Sequence, residues 1–339
     1  MNSNDIALVT GGAGFIGSHI VDILLEKDYK VRVLDNLTGG RIQNLAHHSS
    51  NPNLTFHNLD ITTVDLDDPI FDGIKWIFHM AGIGDIVPSI EKPLDYFHTN
   101  AYGTARIAEA ARNAGVNKVV YAASSSCYGI ASVPTNELAP ISPQYPYALT
   151  KFIGEQTLFH WNQVYGLPVN SIRIFNAYGP RSRTSGAYGA VFGVFLRQKI
   201  AGNPLTIVGD GMQSRDFVYV TDVARAFVAA ALTDKVGQIY NIGFGTPRTI
   251  NDLTKMLSDK TVRIPERPGE PKCTWADISK ITYDLGWEPE ITLEDGIKML
   301  IEHISYWEDA PLWDISSIDK ATKKWFEFLG KNSGQVEGL

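Results

Sequence analysis

The chain has 339 residues, 44% of them hydrophobic and 20% charged, with a formal net charge of −7 at pH 7. This is globular composition, long enough for one large α/β domain with an appended lobe or for two domains, and the acidic balance excludes nucleic acid as the main partner. There is no membrane-length apolar run and no basic leader at Met1–Asp5, so we expect a cytoplasmic protein with no membrane partner. The two cysteines, Cys127 and Cys273, make neither a metal-type spacing nor a disulfide framework, and no metal site is expected.

Ile6–Val9 is a short apolar run without alternation, the pattern of a strand buried on both faces. It runs into Thr10-Gly11-Gly12-Ala13-Gly14-Phe15-Ile16-Gly17, after which Ile20, Ile23 and Leu24 keep a helical period. Glycines at these spacings supply a tight turn, close approach of backbone to a pyrophosphate, and close helix–strand packing; the helix start then offers free N–H groups. A second strand, Val31–Leu34, ends at Asp35, 18 residues after Gly17, where a carboxylate grips adenine-ribose hydroxyls and repels a 2′-phosphate. NAD is therefore expected rather than NADP.

Leu54–His57 leads to Asp60-Ile61, and Trp76–His79 leads to Ala81-Gly82; these read as the third and fourth strands with small or acidic exits. His79 reads as a packed histidine. A helix is expected around Leu94–Asn113, then a fifth strand, Lys118–Ala122, ending in Ser124-Ser125-Ser126-Cys127-Tyr128-Gly129. Regular alternation of this kind predicts an α/β fold with a doubly wound parallel sheet, in which ligands bind at the carboxyl edge where these hydroxyls emerge. Cys127 reads as a small buried hydrophobe.

A proline-rich loop, Pro140–Pro146, delivers the chain to a helix carrying Tyr147 and Lys151. Residues four apart on a helix share one face. A phenol titrates near pH ~10, too high for a base at neutrality, and a fixed ammonium beside it lowers that value. Tyr147 is thus a candidate acid/base for a substrate alcohol. Val169–Phe175 reads as the sixth strand, ending at Asn176-Ala177-Tyr178-Gly179-Pro180. Beyond Pro180 loops lengthen and arginines and glycines concentrate. We read residues 1–180 as a dinucleotide-binding domain, with the chain returning to it near 215–245. Residues 181–330 read as an interleaved, mainly substrate-binding lobe, in which Arg215 and Arg267 are candidates for phosphate oxygens. Trp313–Phe328 is amphipathic and is expected to pack on the body, and the residues after Lys331 are expected to be loose.

Taken together, the glycine turn, Ser124 placed four before Tyr128-Gly129, the Tyr147/Lys151 pair, Phe175-Asn176 and Arg215-Asp216-Phe217-Val218-Tyr219 resemble the extended short-chain dehydrogenase/reductases. More narrowly, residues 5–305 resemble nucleotide-sugar epimerases of the UDP-glucose/UDP-N-acetylglucosamine 4-epimerase type. The resemblance implies Tyr147 as acid/base, Lys151 lowering its pKa and holding the nicotinamide ribose, and Ser124 bonding the reacting hydroxyl. It implies a NAD site of Gly11, Gly14, Phe15, Ile16 and Gly17, with Asp35 and Asn36, Asp60 and Ile61, Ala81 and Gly82, Asn100 and Phe175. For a UDP-sugar it implies Ser125, Ser126, Asn176, Arg215, Arg267, Glu270 and Thr274, Glu270 replacing the usual aspartate. A homodimer through helices near 94–113 and 147–165 is implied as well. Gly84 stands where galactose-type members carry a lysine, a departure within the family.

The implied reaction is 4-epimerisation through a transient 4-keto sugar. A dehydratase would need carboxylates where Ser125 and Ser126 stand, whereas a uronate 4-epimerase stays open because Arg181, Arg183 and Arg197 could meet a carboxylate. A non-catalytic NAD-sensing protein would be expected to lack the tyrosine or the lysine. Thr274, in Cys273-Thr274-Trp275, replaces a bulky tyrosine of enzymes limited to plain hexoses and leaves room for an acetamido group.

Overall fold

The computed structural model describes residues 5–182 and 191–330. Arg183 and the residues after Lys331 lie outside that range.

Six strands follow one another through the first half of the chain: β1 Ile6–Thr10, β2 Lys30–Leu34, β3 Leu54–His57, β4 Ile74–His79, β5 Lys118–Ser124 and β6 Val169–Ile174. With the later strand Gln238–Ile242 they form one seven-stranded sheet, every pair parallel. Its order is Gln238–Ile242, β6, β5, β4, β1, β2, β3. The order reverses between β1 and β4, and a doubly wound sheet opens its ligand crevice at that point, beyond the strands' carboxyl ends. Every residue of β5 and β6 is buried, as expected of central strands covered on both faces.

Side chains alternate between the two faces. Ala7 and Val9 of β1 join the core under α1 (Phe15–Glu26) and the helix Val220–Leu232. Leu8, between them, joins the opposite core, with Ile107 and Leu158 from two helices on that face. A separate apolar core lies outside the sheet. It gathers Phe192, Phe195, Leu205, Ile207, Phe217 and Leu253, among others, around two short parallel pairs, Leu205–Val208 with Thr261–Ile264 and Asn176–Tyr178 with Phe217–Tyr219.

Before α4 come two short helices, α2 (Ile86–Glu91) and α3 (Pro93–Tyr96). The single helix expected over Leu94–Asn113 is interrupted. A wide π-type turn, Phe97–Gly103, separates α3 from α4 (Thr104–Ala114). The cause is Asn100, wholly buried: its side chain accepts from Ile83 N at 2.8 Å and donates to Ile83 O at 3.0 Å, and Thr104 Oγ1 donates to its carbonyl at 2.6 Å. Single π turns of this kind recur at functional sites.

α5 (Pro146–Tyr165) starts with Pro146 in its first turn, a position where the missing N–H costs nothing, and stops at Gly166 in the left-handed region. It lies unusually close to the sheet. A Cβ added at Gly154 would land on the Tyr121 hydroxyl of β5 and 2.8 Å from the Asn100 carbonyl oxygen. The next residue, Glu155, and Arg173 of β6 form an ion pair of 2.6 Å with both side chains nearly inaccessible. Ser171 Oγ donates to Glu155 at 2.7 Å, Arg173 donates to the Tyr128 hydroxyl at 2.9 Å, and Tyr128 donates to Asn241 Oδ1 at 2.7 Å. This network ties α5 to β6, the Gln238–Ile242 strand and the serine-rich turn after β5.

Gly154→Ala forces that contact apart. Overpacking of this size costs about 1–3 kcal/mol, so the urea midpoint of the variant should fall clearly below that of the parent, and activity should fall with it because α5 carries Tyr147. An unchanged midpoint would show that α5 can move away freely.

Candidate active site

Two cavities meet at the carboxyl edge of the sheet. The first, about 840 Å³, runs along the strand exits. Gly11, Gly14, Phe15, Ile16 and Gly17 line it from the β1–α1 turn. Asp35 and Asn36, Asp60 and Ile61, and Ala81 and Gly82 line it from the exits of β2, β3 and β4, and Phe175 from the exit of β6. Asn100 does not line this cavity; it acts behind the wall, holding Ile83 in place. The second cavity, about 390 Å³, is lined by Arg215, Arg267, Glu270 and Thr274. Ser125, Ser126, Tyr147 and Asn176 belong to the walls of both, so the tyrosine stands at the junction of the two chambers. Ser124 and Lys151 face the first only.

The first cavity fits a dinucleotide by its own construction. Gly11 has φ +68°, and a Cβ there would fall 2.7 Å from Ala81 N, inside the path between the β1 and β4 exits. α1 begins beyond Gly14 with no side-chain cap and no acidic residue in its first turn, which leaves its N–H groups to an anion. Asp35 is buried beside them, accepting from Ala13 N at 3.0 Å and Leu37 N at 2.8 Å. Asn36 donates to Asp60 at 2.8 Å and so links the β2 and β3 exits.

At the junction, the Ser124 side chain faces the Tyr147 hydroxyl and favours its ionised form. Lys151 lies behind, its Nζ 4.4 Å from the centre of the Tyr121 ring. The electrostatics differ from the expected lowering of the tyrosine by a nearby ammonium. Burial raises the Tyr147 pKa, Ser124 offsets this in part, and Asp85 adds to the rise. Burial also pushes Lys151 down to about 7, with Glu155 pulling the other way. Desolvation disfavours both charges at once, so the pair does not set up a phenolate unaided.

In the second cavity Arg215 is buried and held by Glu270 at 2.7 Å and by the Pro271 carbonyl at 2.9 Å. Arg267 lies 3.9 Å from the same carboxylate. Thr274 does more than leave space: its hydroxyl donates to Asn176 Oδ1 at 2.7 Å and accepts from Asp216 N at 3.3 Å. Of the arginines considered for a substrate carboxylate, Arg183 lies outside the described residues, and the other two are engaged within the chain, although Arg181 also lines the first cavity. Arg181 is paired with Asp22 at 2.8 Å, and Arg197 donates to the Ala310 carbonyl at 3.0 Å.

Three residues at or behind the junction gave no clear signal in the sequence. Asp85, at the start of α2, lines both chambers. Tyr145 lies parallel to Tyr147 with ring centres 6.4 Å apart, and burial pushes its pKa up to about 12, with Ser126 acting in the opposite direction. Its place in the proline-rich loop, two residues before Tyr147, was the only hint. Glu155 continues the Tyr147–Lys151 spacing by one more turn, a signal visible in retrospect. His79 is wholly buried between Thr10 and Thr104 and pushed down to about 3 by burial; Cys127 is pushed up to about 12 by burial. Neither carries chemistry.

A parallel sheet of this order with a glycine turn, an acidic β2 exit and a Ser–Tyr–Lys junction defines a dinucleotide-dependent enzyme class. The family profile described as the NAD dependent epimerase/dehydratase family matches residues 7–243. The chain is 38% identical over 303 residues to a putative UDP-glucose 4-epimerase of Methanocaldococcus jannaschii, covering 87% of this chain and 96% of that one. It superposes on a UDP-N-acetylglucosamine 4-epimerase of Methanobrevibacter ruminantium M1 with TM-score 0.83 at 34% identity, covering 88% of this chain and 99% of the other. With a UDP-glucuronic acid 4-epimerase of Bacillus cereus, solved with UDP-glucuronic acid and NAD, the TM-score is 0.83 at 33% identity, again over 88% and 99%. The protein belongs to this NAD-dependent epimerase/dehydratase family, within the extended short-chain dehydrogenase/reductases.

The depressed Lys151 has a measurable consequence in the protein stripped of NAD. Between about pH 7, where it deprotonates in the fold, and about 10.4, the ordinary lysine value, the unfolded chain holds the extra proton. Stability from this group therefore rises with pH across that window, by up to about 1.4 kcal/mol per unit. Urea unfolding at pH 7 and 9 should show this rise in the parent and a flatter response in Lys151→Met. Equal slopes would remove Lys151 as the source.

Proposed function

We propose that the protein is a UDP-sugar 4-epimerase that passes through a transient 4-keto sugar. The observation that supports this best is the position of Tyr147, in the wall shared by a dinucleotide-shaped cavity and a smaller chamber carrying Arg215 and Arg267. Gly11, Gly14, Gly17, Asp35 and the β3 and β4 exits hold NAD. Bound there, NAD would supply a reversible hydride acceptor and, in its oxidised form, a positive charge.

The remaining steps belong to the chain's own residues. Ser124 orients the sugar 4-hydroxyl toward Tyr147. Tyr147 as phenolate takes that proton and later returns it to the 4-oxygen of the turned keto sugar. Lys151, when protonated opposite an ionised Tyr147, stabilises the phenolate and holds a ribose hydroxyl. Arg215, aligned by Glu270, and Arg267 grip the diphosphate while the sugar turns, and Asn176 stands between diphosphate and sugar. Ser125 and Ser126 lack the acid/base strength that elimination of water needs, which favours epimerisation over dehydration. Exposed Leu94, Phe97, Tyr102, Leu149, Val164 and Tyr165 around α3–α5 support a homodimer through that surface.

Tyr147→Phe keeps the ring and removes the proton. Turnover of UDP-sugars, followed by NMR without added cofactor, should fall by ~10²–10⁴-fold, with the NAD(H) released on denaturation unchanged. Near-parental turnover would contradict the assignment.

We further propose that the space beside Thr274 admits the acetamido group of UDP-N-acetylglucosamine and UDP-N-acetylgalactosamine as well as UDP-glucose and UDP-galactose. A pocket without a clash tolerates the smaller substrate, since an unfilled volume costs less than an overlap. Thr274→Tyr should suppress the N-acetylated pair selectively, and Thr274→Ser, which keeps the hydroxyl on Asn176, should leave both pairs active. Equal loss on both pairs in Thr274→Tyr would assign the residue to holding Asn176 alone.

A further inference from the structure

The C-terminal segment lies beyond the span that carries the family's motifs, yet it supplies walls to both cavities. Ala310, Pro311 and Trp313 line the first. The helix Ile315–Leu329, opened by an Asp314/Ser317 capping box, then crosses to α2 and presents Trp325 to the second. Ile318, Thr322 and Trp325 form its buried stripe, at the spacing of one helix face. Within that stripe the residues differ in what they meet. Ile318 enters the outer apolar core. Trp325, only 4% exposed, meets the polar loop that carries the phosphate candidates. Its Nε1 donates to the Pro268 carbonyl at 2.7 Å, the Arg267 guanidinium lies 5.8 Å from its ring centre, and Tyr145 approaches at 6.2 Å.

We infer that Trp325 is a positioning residue for substrate binding: it fixes the 267–271 loop from outside and sets Arg267 against the diphosphate. The inference rests on the nucleotide-sugar reading of the second cavity. The geometry carries it in two ways. The bond to Pro268 anchors the loop one residue from Arg267, between Arg267 and Glu270. The indole face also gives the guanidinium an apolar, electron-rich backing, which limits its freedom without neutralising its charge, unlike the carboxylate of Glu270.

The test is UDP binding by calorimetry, with steady-state kinetics on whichever UDP-sugar is turned over, for the full-length parent, Trp325→Ala and Trp325→Phe. Loss of an aromatic partner of this kind corresponds to ~10-fold in affinity. Trp325→Ala should bind UDP ~10-fold more weakly and raise KM by a similar factor, with kcat and NAD content near parental. Trp325→Phe, which keeps an aromatic backing, should recover most of the affinity. Unchanged UDP affinity and KM in Trp325→Ala overturn the inference, as does a fall in kcat and NAD content together with KM, which marks a merely structural role. A parent protein that does not bind UDP contradicts the nucleotide-sugar reading itself, a separate outcome visible before any variant is made.

Discussion

How closely α5 lies against the sheet decides the rest of the site. Tyr147 and Lys151 leave one face of that helix, and their reach toward the strand exits is set by its distance from β5 and the π turn. Gly154 permits the contact, since any side chain there would strike Tyr121 and the Asn100 carbonyl. The Glu155–Arg173 pair then fixes the helix along its length and rotation. A buried ion pair adds little net stability against an apolar alternative. Its use here is geometric: Arg173 continues to Tyr128 and Asn241, so one network registers the catalytic helix, the serine turn and the seventh strand together.

That closeness has an electrostatic cost that the site turns to use. Tyr147 and Lys151 are both desolvated, which raises one pKa and lowers the other. The protein alone therefore favours a neutral phenol and weakens the lysine's hold on its proton. On the proposed function, a positive charge bound alongside would shift the tyrosine back toward phenolate. Arg215 follows a different logic. Its buried guanidinium is met by Glu270 and two backbone carbonyls.

Much of this was legible in the sequence because local chemistry fixes it. The β1 and β2 runs, the glycine turn and Asp35 are short-range patterns, and Tyr147/Lys151 needs only a helix. What was hidden depends on contacts distant in sequence. The helix expected over Leu94–Asn113 breaks because Asn100 bonds Ile83, seventeen residues earlier. The sequence treated Thr274 as space, whereas its hydroxyl reaches Asn176, 98 residues away. The lowering of Tyr147 by Lys151 was inferred from proximity alone; the structure adds burial, which acts in the opposite direction. Arg181 and Arg197 looked available to a substrate, but each is engaged by a partner from another part of the chain.

The central claim is that the sugar's own hydrogen leaves C4 and returns to it, while only the hydroxyl proton passes through Tyr147. Turnover of a UDP-sugar in D₂O, with the product examined by proton NMR, tests this directly. The account predicts an inverted product that keeps its full H4 signal, with no deuterium on carbon and no cofactor consumed. Deuterium at C4 or C5 of the product would contradict it, because the configuration would then have changed, or water been eliminated, by proton exchange at carbon with solvent.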